Sequence, residues 1–407
     1  MVGTIFKESS GADSRRVLLI SNGHGEDLLA GVLAQALERR CRELELWAFP
    51  IVGAGQGYKR FPVSIVGVQA VMPSGGFLRQ SWQAFREDIK AGLLKLTWQQ
   101  WQALRALRSH ISYVVAVGDI YALYLAYRHL AKPLVFVPTA KSDYIRGHLA
   151  IEKYLMRKHC QLVLPRDELT AGNLRRSGIP AKYVGNLMMD SIFASGQRLQ
   201  GISPDEIVIG ILPGSRDEVY MNLPLISTAM DVIAQGQSDL VFAMAIAGTL
   251  SVTRVVSILE QEGWQASHDN LADSLSEGVA RRETYLVKGG ARLLVAQGRF
   301  GDVLEASCVC LGMAGTANEQ AAGLGRPVVA FPGPGSQFTA KFLAAQKRLL
   351  GDALAAAEGP EAAGRAVLEI LADTDRYAAM AACGRQRMGG PGGADRMATE
   401  ISRLWDC

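Results

Sequence analysis

The chain has 407 residues, 49% of them apolar and 20% charged, with a net charge of +4. This composition excludes a disordered chain, and a positive charge this small and dispersed excludes nucleic-acid binding as the main role. No stretch reaches the roughly 18–20 uninterrupted apolar residues of a membrane-spanning helix, and Met1 to Arg16 lacks an apolar signal core, which predicts a cytoplasmic protein.

The length predicts two domains, and strand and helix signals alternate throughout, as in α/β folds built on parallel sheets. Val17 to Ile20 reads as a strand and Ser21 to Asp27 as a Gly-rich turn. Leu29, Val32, Leu33 and Leu37 then recur at helical spacing. The turn sets Gly23 and Gly25, which free the backbone, beside His24, Glu26 and Asp27. His24 or Glu26 would serve as a general base, while Asp27 would cap the helix or line the acceptor side.

Phe77 to His110 reads as a long basic amphipathic helical segment rich in Trp and Leu. Such a face packs on a sheet, lies on a lipid surface, or does both. Tyr113 to Val117 is a strand that delivers Asp119 at its C-terminal tip, as a second candidate base or a helix cap. Further units follow at Leu134 to Val137 and Gln161 to Leu164, the latter followed by a helix from Asp167 to Arg176.

The polar stretch Ser195 to Pro204 marks a domain boundary, giving domains 1–200 and 201–375 and C-terminal helices 376–407 that would pack back on the first domain. The second series opens with the apolar strand Ile207 to Ile211, which empties into Leu212-Pro213-Gly214-Ser215-Arg216. Strands follow at Leu240 to Ile246, Tyr285 to Val287 and Ser307 to Leu311, the last of these leading into Met313-Ala314-Gly315-Thr316. Pro327 to Phe331 is another strand, and Gly389 to Gly393 breaks the last helices.

Each small-residue loop leads from a buried strand into a helix, which turns backbone N–H groups and a positive helix end toward a phosphate. Two of them predict one diphosphate-bearing ligand, with Arg216 adding a charged contact and Thr316 capping its helix while donating to phosphate. Glu319 would accept the hydroxyls of a ribose or act as a dipole partner. Two open sheets with a cleft between them would place the ligand at the C-terminal ends of the strands. The six cysteines read as buried thiols rather than as disulfides or a metal site.

These residues resemble the lipid-A-disaccharide synthase family of nucleotide-sugar glycosyltransferases. The matches are Asp27 to Leu33, Gly118-Asp119, Leu164-Pro165, Tyr183 to Asp190, Leu212 to Arg216, Ala314 to Glu319 and Arg326 to Val329. Gly298 to Asp302 and Gly335 to Thr339 resemble a branch of that family from oxygenic phototrophs.

The resemblance implies a GT-B architecture of two Rossmann-like domains. The C-terminal one would bind a UDP-sugar through Gly214, Ser215, Arg216, Met313, Ala314, Gly315, Thr316, Glu319 and Gln337. The N-terminal one would bind an acceptor. It further implies no metal, no cofactor and inversion at the anomeric carbon. The first loop departs from the family pattern, reading His24-Gly25-Glu26-Asp27, and Pro138 to Tyr144 replaces an aromatic segment, so acceptor identity is not carried over.

The expectation is an inverting glycosyltransferase with Asp119, His24 or Glu26 as base, acting on a lipid-linked or amphipathic acceptor, with peripheral membrane contact through Phe77 to His110. A UDP-sugar epimerase and a non-catalytic UDP-sugar or lipid-binding protein are the alternatives, and a homodimer is compatible with each.

Overall fold

The computed structural model describes residues 15–68, 93–267 and 283–407. The chain divides into two compact units, Met1–Ser191 with Pro391–Cys407, and Ile192–Gly390.

In the first unit, β1 (Arg15–Ser21) carries the run Val17-Leu18-Leu19-Ile20, fully buried, as a strand covered on both faces requires. It pairs in parallel with β2 (Leu44–Pro50) on one side and β4 (Tyr113–Gly118) on the other. Adding β3 (Ser64–Ile65), β5 (Leu134–Pro138) and β6 (Leu162–Val163) gives an all-parallel sheet of order β3-β2-β1-β4-β5-β6.

The two-residue period of β1 decides which helices cover which face. Val17 and Leu19 pack with α1 (His24–Arg40), whereas Leu18 and Ile20 pack with α2 (Leu93–Leu107) and α3 (Ile120–His129). After α4 (Ala150–His159), α5 (Glu168–Arg176) and α6 (Leu187–Asp190), the chain leaves this unit and returns to it for α14 (Gly393–Trp405).

α14 is held at both ends. Asp190 accepts from the backbone N–H of Gly392 and, at 2.8 Å, from that of Ala394. Gly185 is required because a Cβ there would sit 2.6 Å from Gly393 Cα. At the far end the Trp405 ring stacks on Tyr113, with centroids 4.4 Å apart, and Met397, Ala398 and Ile401 join the core around α1. The Tyr183 to Asp190 motif is therefore a dock for the last helix.

Of the predicted segment Phe77 to His110, residues 77–92 lie outside the described residues. Within α2, Leu96, Leu104 and Leu107 are buried, and Gln100 donates to the Ile51 carbonyl at 2.8 Å. Leu94 and Trp98 are 70% and 59% exposed, so one face packs and the other is left to solvent. No helix of the described residues is long and apolar enough to cross a membrane.

The second unit repeats the strand order with an addition. From β7 (Ile207–Leu212) the sheet runs through β12 (Val309–Gly312), β13 (Val328–Ala330) and β14 (Leu354–Ala356) on one side. On the other side it runs through β8 (Leu240–Ile246) and β11 (Ala291–Gln297), all parallel. β10 (Glu283–Lys288) and β9 (Gln265–Ala266) then extend the edge antiparallel, so the predicted strand Tyr285 to Val287 is one arm of a hairpin.

The motif Gly298 to Asp302 fixes the start of this unit. At the N-terminus of α9 (Phe300–Ala306), Asp302 accepts from Ser195 N at 2.7 Å and Ser195 Oγ at 2.9 Å. Arg299 ties Asp302, Glu283 and the Gln197 carbonyl together at 2.5, 2.6 and 2.8 Å.

Truncating Trp405 to Ala removes the stack and leaves a cavity beside Tyr113. A loss of about 3–5 kcal/mol is expected for a buried Trp, measured by chemical denaturation of the full chain. A loss below about 1 kcal/mol, the scale of an ordinary surface change, would contradict the docking role of α14.

Candidate functional site

A sheet of this order has a switch point between its two central strands, where connections leave in opposite directions and a crevice opens at the C-terminal ends. In the second unit those strands are β7 and β12, whose last residues, Leu212 and Gly312, are paired. The two small-residue loops therefore start side by side, with Met313 N donating to the Leu212 carbonyl at 2.9 Å.

The first loop turns at Gly214, whose φ of +112° is closed to ordinary side chains. Val219 N and Tyr220 N then donate to the Arg216 and Asp217 carbonyls at 2.9 and 3.1 Å, opening α7 (Val219–Gly236). Ser215 and Arg216 are exposed at this helix entrance. Glu218 reaches away to a third loop, accepting from Gln337 N at 2.8 Å and Ser336 Oγ at 3.0 Å. That clamp holds the segment Gly335 to Gln337 beside the α7 entrance and leaves the Gln337 side chain exposed.

The second loop is fixed from beneath. Gln346, on α11 (Ala340–Leu350), donates to the Ala314 carbonyl at 3.1 Å and the Gly315 carbonyl at 2.9 Å. Asn318 donates to the Gly312 carbonyl at 3.2 Å and to Gln346 Oε1 at 2.9 Å. Across a planar trans peptide the N–H points opposite to the carbonyl. Turning the Ala314 and Gly315 carbonyls inward therefore aims the N–H groups of Gly315 and Thr316 outward.

α10 (Thr316–Gly323) begins at Thr316, so Thr316 is the first helical residue and not the expected cap. The cap position is Gly315, which supplies no side-chain cap, and the macrodipole adds positive potential at the same place. Glu319 lies in the first turn, and the half-exposed Phe342 ring lies against Gly315, 3.3 Å from where a Cβ would be. Met313 and Ala314 are buried floor residues. The roles of Glu218, Phe342 and Gln346 escaped the sequence reading because each meets a partner far along the chain, up to 119 residues away, and no local pattern marks it.

In the first unit the switch point lies between β1 and β4. Asn22, just past β1, donates to Asp119 Oδ1 at 2.8 Å, and the same oxygen caps α3 by accepting from Tyr121 N at 2.9 Å. Glu26 lies beside them, its Cγ 3.0 Å from where a Gly118 Cβ would be. Burial raises the Glu26 carboxyl above its usual range, and the Asp119 charge adds to the rise. His24 is exposed and lays its ring over Gly53 in the loop after β2, while Gly25 is exposed with open space around it.

Asp27 is not the helix cap: α1 begins at His24 with Gly23 in the cap position, and Asp27 N donates back to the Gly23 carbonyl at 2.8 Å. Its carboxyl is buried inside the unit. Ser21 Oγ donates to Asp27 Oδ1 at 2.6 Å, and Tyr58 lies 2.7 Å from Ser21 Oγ, so Tyr58 is left to donate to Ser21. Asp27 Oδ2 is buried without a partner, and burial pushes this carboxyl up to about 7.

Among the described residues, Cys41, Glu43 and Cys407 bring three potential metal-ligand atoms within 4.8 Å of one another. Burial pushes the Cys407 thiol up to about 12, which opposes the thiolate a metal needs. A cavity of about 280 Å³, lined by Arg198, Leu199, Val208 and Asp302, lies toward the N-terminal end of β7, away from the loops.

No family model matches the chain, and no curated protein matches it either. Solved structures do. A Listeria monocytogenes protein assigned as a UDP-N-acetylglucosamine 2-epimerase is 14% identical with a TM-score of 0.64, over 97% of each chain. S. aureus MnaA, solved with UDP, is 13% identical with a TM-score of 0.61, over 96% of this chain and 97% of that one. The calicheamicin glycosyltransferase CalG4 is 16% identical with a TM-score of 0.58, over 97% and 98%. The fold is that of GT-B enzymes. In this GT-B chain each unit carries its candidate residues at the switch point of its own sheet.

The folded chain keeps a proton on Asp27 up to about pH 7, whereas the unfolded chain releases it near 3.8. Stability attributable to this group therefore falls as pH rises between those values and is flat above them, a span of up to about 4 kcal/mol. Denaturation of wild type and Asp27→Asn across this range should show a steeper fall in wild type. Parallel profiles would contradict the buried, protonated state.

Proposed function

We propose that the second unit binds a UDP-sugar and that the protein is an inverting glycosyltransferase acting on an amphipathic, lipid-linked acceptor. The observation that carries the reading is the outward-facing amide pair of Gly315 and Thr316, set beside the Gly214 to Arg216 loop at two helix entrances. Such an arrangement suits a diphosphate, and the charged guanidinium of Arg216 suits its oxygens. Glu319 would take the ribose and Gln337 the sugar hydroxyls.

In the reaction, the acceptor hydroxyl attacks the anomeric carbon, the bond to the diphosphate breaks, and UDP leaves with the electron pair. Amides and Arg216 would stabilise that leaving group as charge develops, with no metal required. The first unit would supply the base: Asp119 is the first choice, since both hydrogen bonds that fix it end on Oδ1. Glu26, whose carboxyl burial raises above its usual range, is next. His24 is a weaker candidate because its ring lies over Gly53. Contact with a membrane would involve the exposed Leu94 and Trp98 face of α2.

A second reading, a UDP-sugar epimerase, is supported by the fold shared with the Listeria monocytogenes protein assigned as a UDP-N-acetylglucosamine 2-epimerase. Product analysis separates the two. An epimerase converts the donor without an acceptor, whereas a transferase releases UDP in step with acceptor consumption.

Calorimetric titration with UDP in EDTA should show binding. Arg216→Ala should weaken that binding by about 1.5–3 kcal/mol, the value of a charged hydrogen bond. Unchanged affinity would remove Arg216 from the donor site. No binding of any uridine nucleotide would end the UDP-sugar reading.

A further inference from the structure

The loop from β5 to α4 presents an apolar and cationic surface that none of the chemistry above uses. Ile145, Leu149, Ile151 and Tyr154 are all exposed, Ile151 to 60%, although they fall within ten residues of sequence. Single exposed apolar side chains are ordinary, but four together on one short segment are not.

This surface is held, not loose. Ile145 N and Arg146 N both donate to the Ser142 carbonyl, at 3.0 and 2.9 Å, in a tight turn. Glu152 is buried and gathers the base of the loop, accepting from Lys141 Nζ at 2.5 and 2.6 Å and from Leu149 N at 2.9 Å. His148 Nδ1 lies 3.2 Å from the same carboxylate. Along α4, Glu152 and Met156 face inward, which leaves Ile151, Tyr154 and Lys158 on the outer face.

Charge separates this surface from an ordinary protein contact. Residues 144–159 carry Arg146, Lys153, Arg157 and Lys158, and the one carboxylate among them, Glu152, is consumed inside by Lys141. Arg146, Arg157 and Lys158 are exposed, and Lys158 extends over the Tyr154 ring, 5.5 Å from its centroid. Asp143, next to this stretch, accepts from Asn173, and among the described residues none of Arg146, Arg157 and Lys158 forms an ion pair, so the outer face offers apolar tips ringed by cations.

We propose that residues 145–158 seat the first unit on the surface of an anionic lipid bilayer, apolar tips at the acyl boundary and cations among the phosphates. The position suits an acceptor delivered from the bilayer: Thr139 N donates to the Gly118 carbonyl at 3.1 Å, so this loop leaves the sheet on the same rim as Asp119. Only that link to an acceptor rests on the glycosyltransferase reading; lipid binding stands on the surface itself.

The test is co-sedimentation of the full chain with phosphatidylcholine vesicles, with and without phosphatidylglycerol, at rising ionic strength. Leu149→Ser with Ile151→Ser, and separately Arg157→Glu with Lys158→Glu, are compared with wild type. Unchanged melting and unchanged UDP affinity report that each variant folds, and the UDP titration fails or succeeds independently of the vesicles.

Wild type should bind the anionic vesicles, lose binding as salt rises, and partition at least about tenfold more strongly than either variant. Absence of binding to anionic vesicles, or equal binding by the variants, overturns the proposal. So does light scattering in which wild type self-associates and the variants are monomeric, which would make the surface a contact between two copies of the chain.

Discussion

Parallel strands that reverse direction of progress next to the centre of a sheet cannot fill the space at their own tips, and both units are built around that constraint. In the first, alternate residues of β1 send α1 to one face and α3 to the other, so the tips of β1 and β4 open between them. In the second, Leu212 and Gly312 end side by side and hand the chain to α7 and α10. Backbone amides at such tips lack partners within their helices. The crevice is thus electropositive at its rim before any side chain is added.

What the side chains add differs between the units. The second unit spends buried amides, Asn318 and Gln346, on fixing carbonyls inward so that amides face out. The first unit concentrates carboxyls instead: Glu26 and Asp119 at the rim, Asp27 behind them on the hydroxyl chain through Ser21 and Tyr58. One unit thus turns amides outward at its strand tips, and the other gathers carboxyls at its own.

The central strands were legible because continuous runs such as Val17 to Ile20 and Ile207 to Ile211 are what two-sided burial selects. Five strands escaped. β2 mixes Glu45 into its run, β3 and β9 are two residues long and β14 three, and β11 follows β10 across Gly289-Gly290, both at positive φ, a hairpin signal set among helical units. Loop chemistry was readable at Gly214 to Arg216 and Gly315 to Thr316 because strand, small residues and helix are contiguous there. Glu218, Gln346 and Tyr58 were not, since each meets its partner only once the chain is folded. Two segments that carried the sequence resemblance have structural work in this chain: Tyr183 to Asp190 docks the last helix, and Arg299 with Asp302 holds Ser195 to Gln197.

On the proposed reading the paired loops of the second unit hold a nucleoside diphosphate through backbone amides. Hydrogen exchange read peptide by peptide, with and without UDP, tests it most directly. Exchange should slow at Gly214 to Arg216 and at Gly315 to Ala317, together with the first turns of α7 and α10. Protection that appears elsewhere, or UDP binding that leaves both loops unprotected, would contradict it.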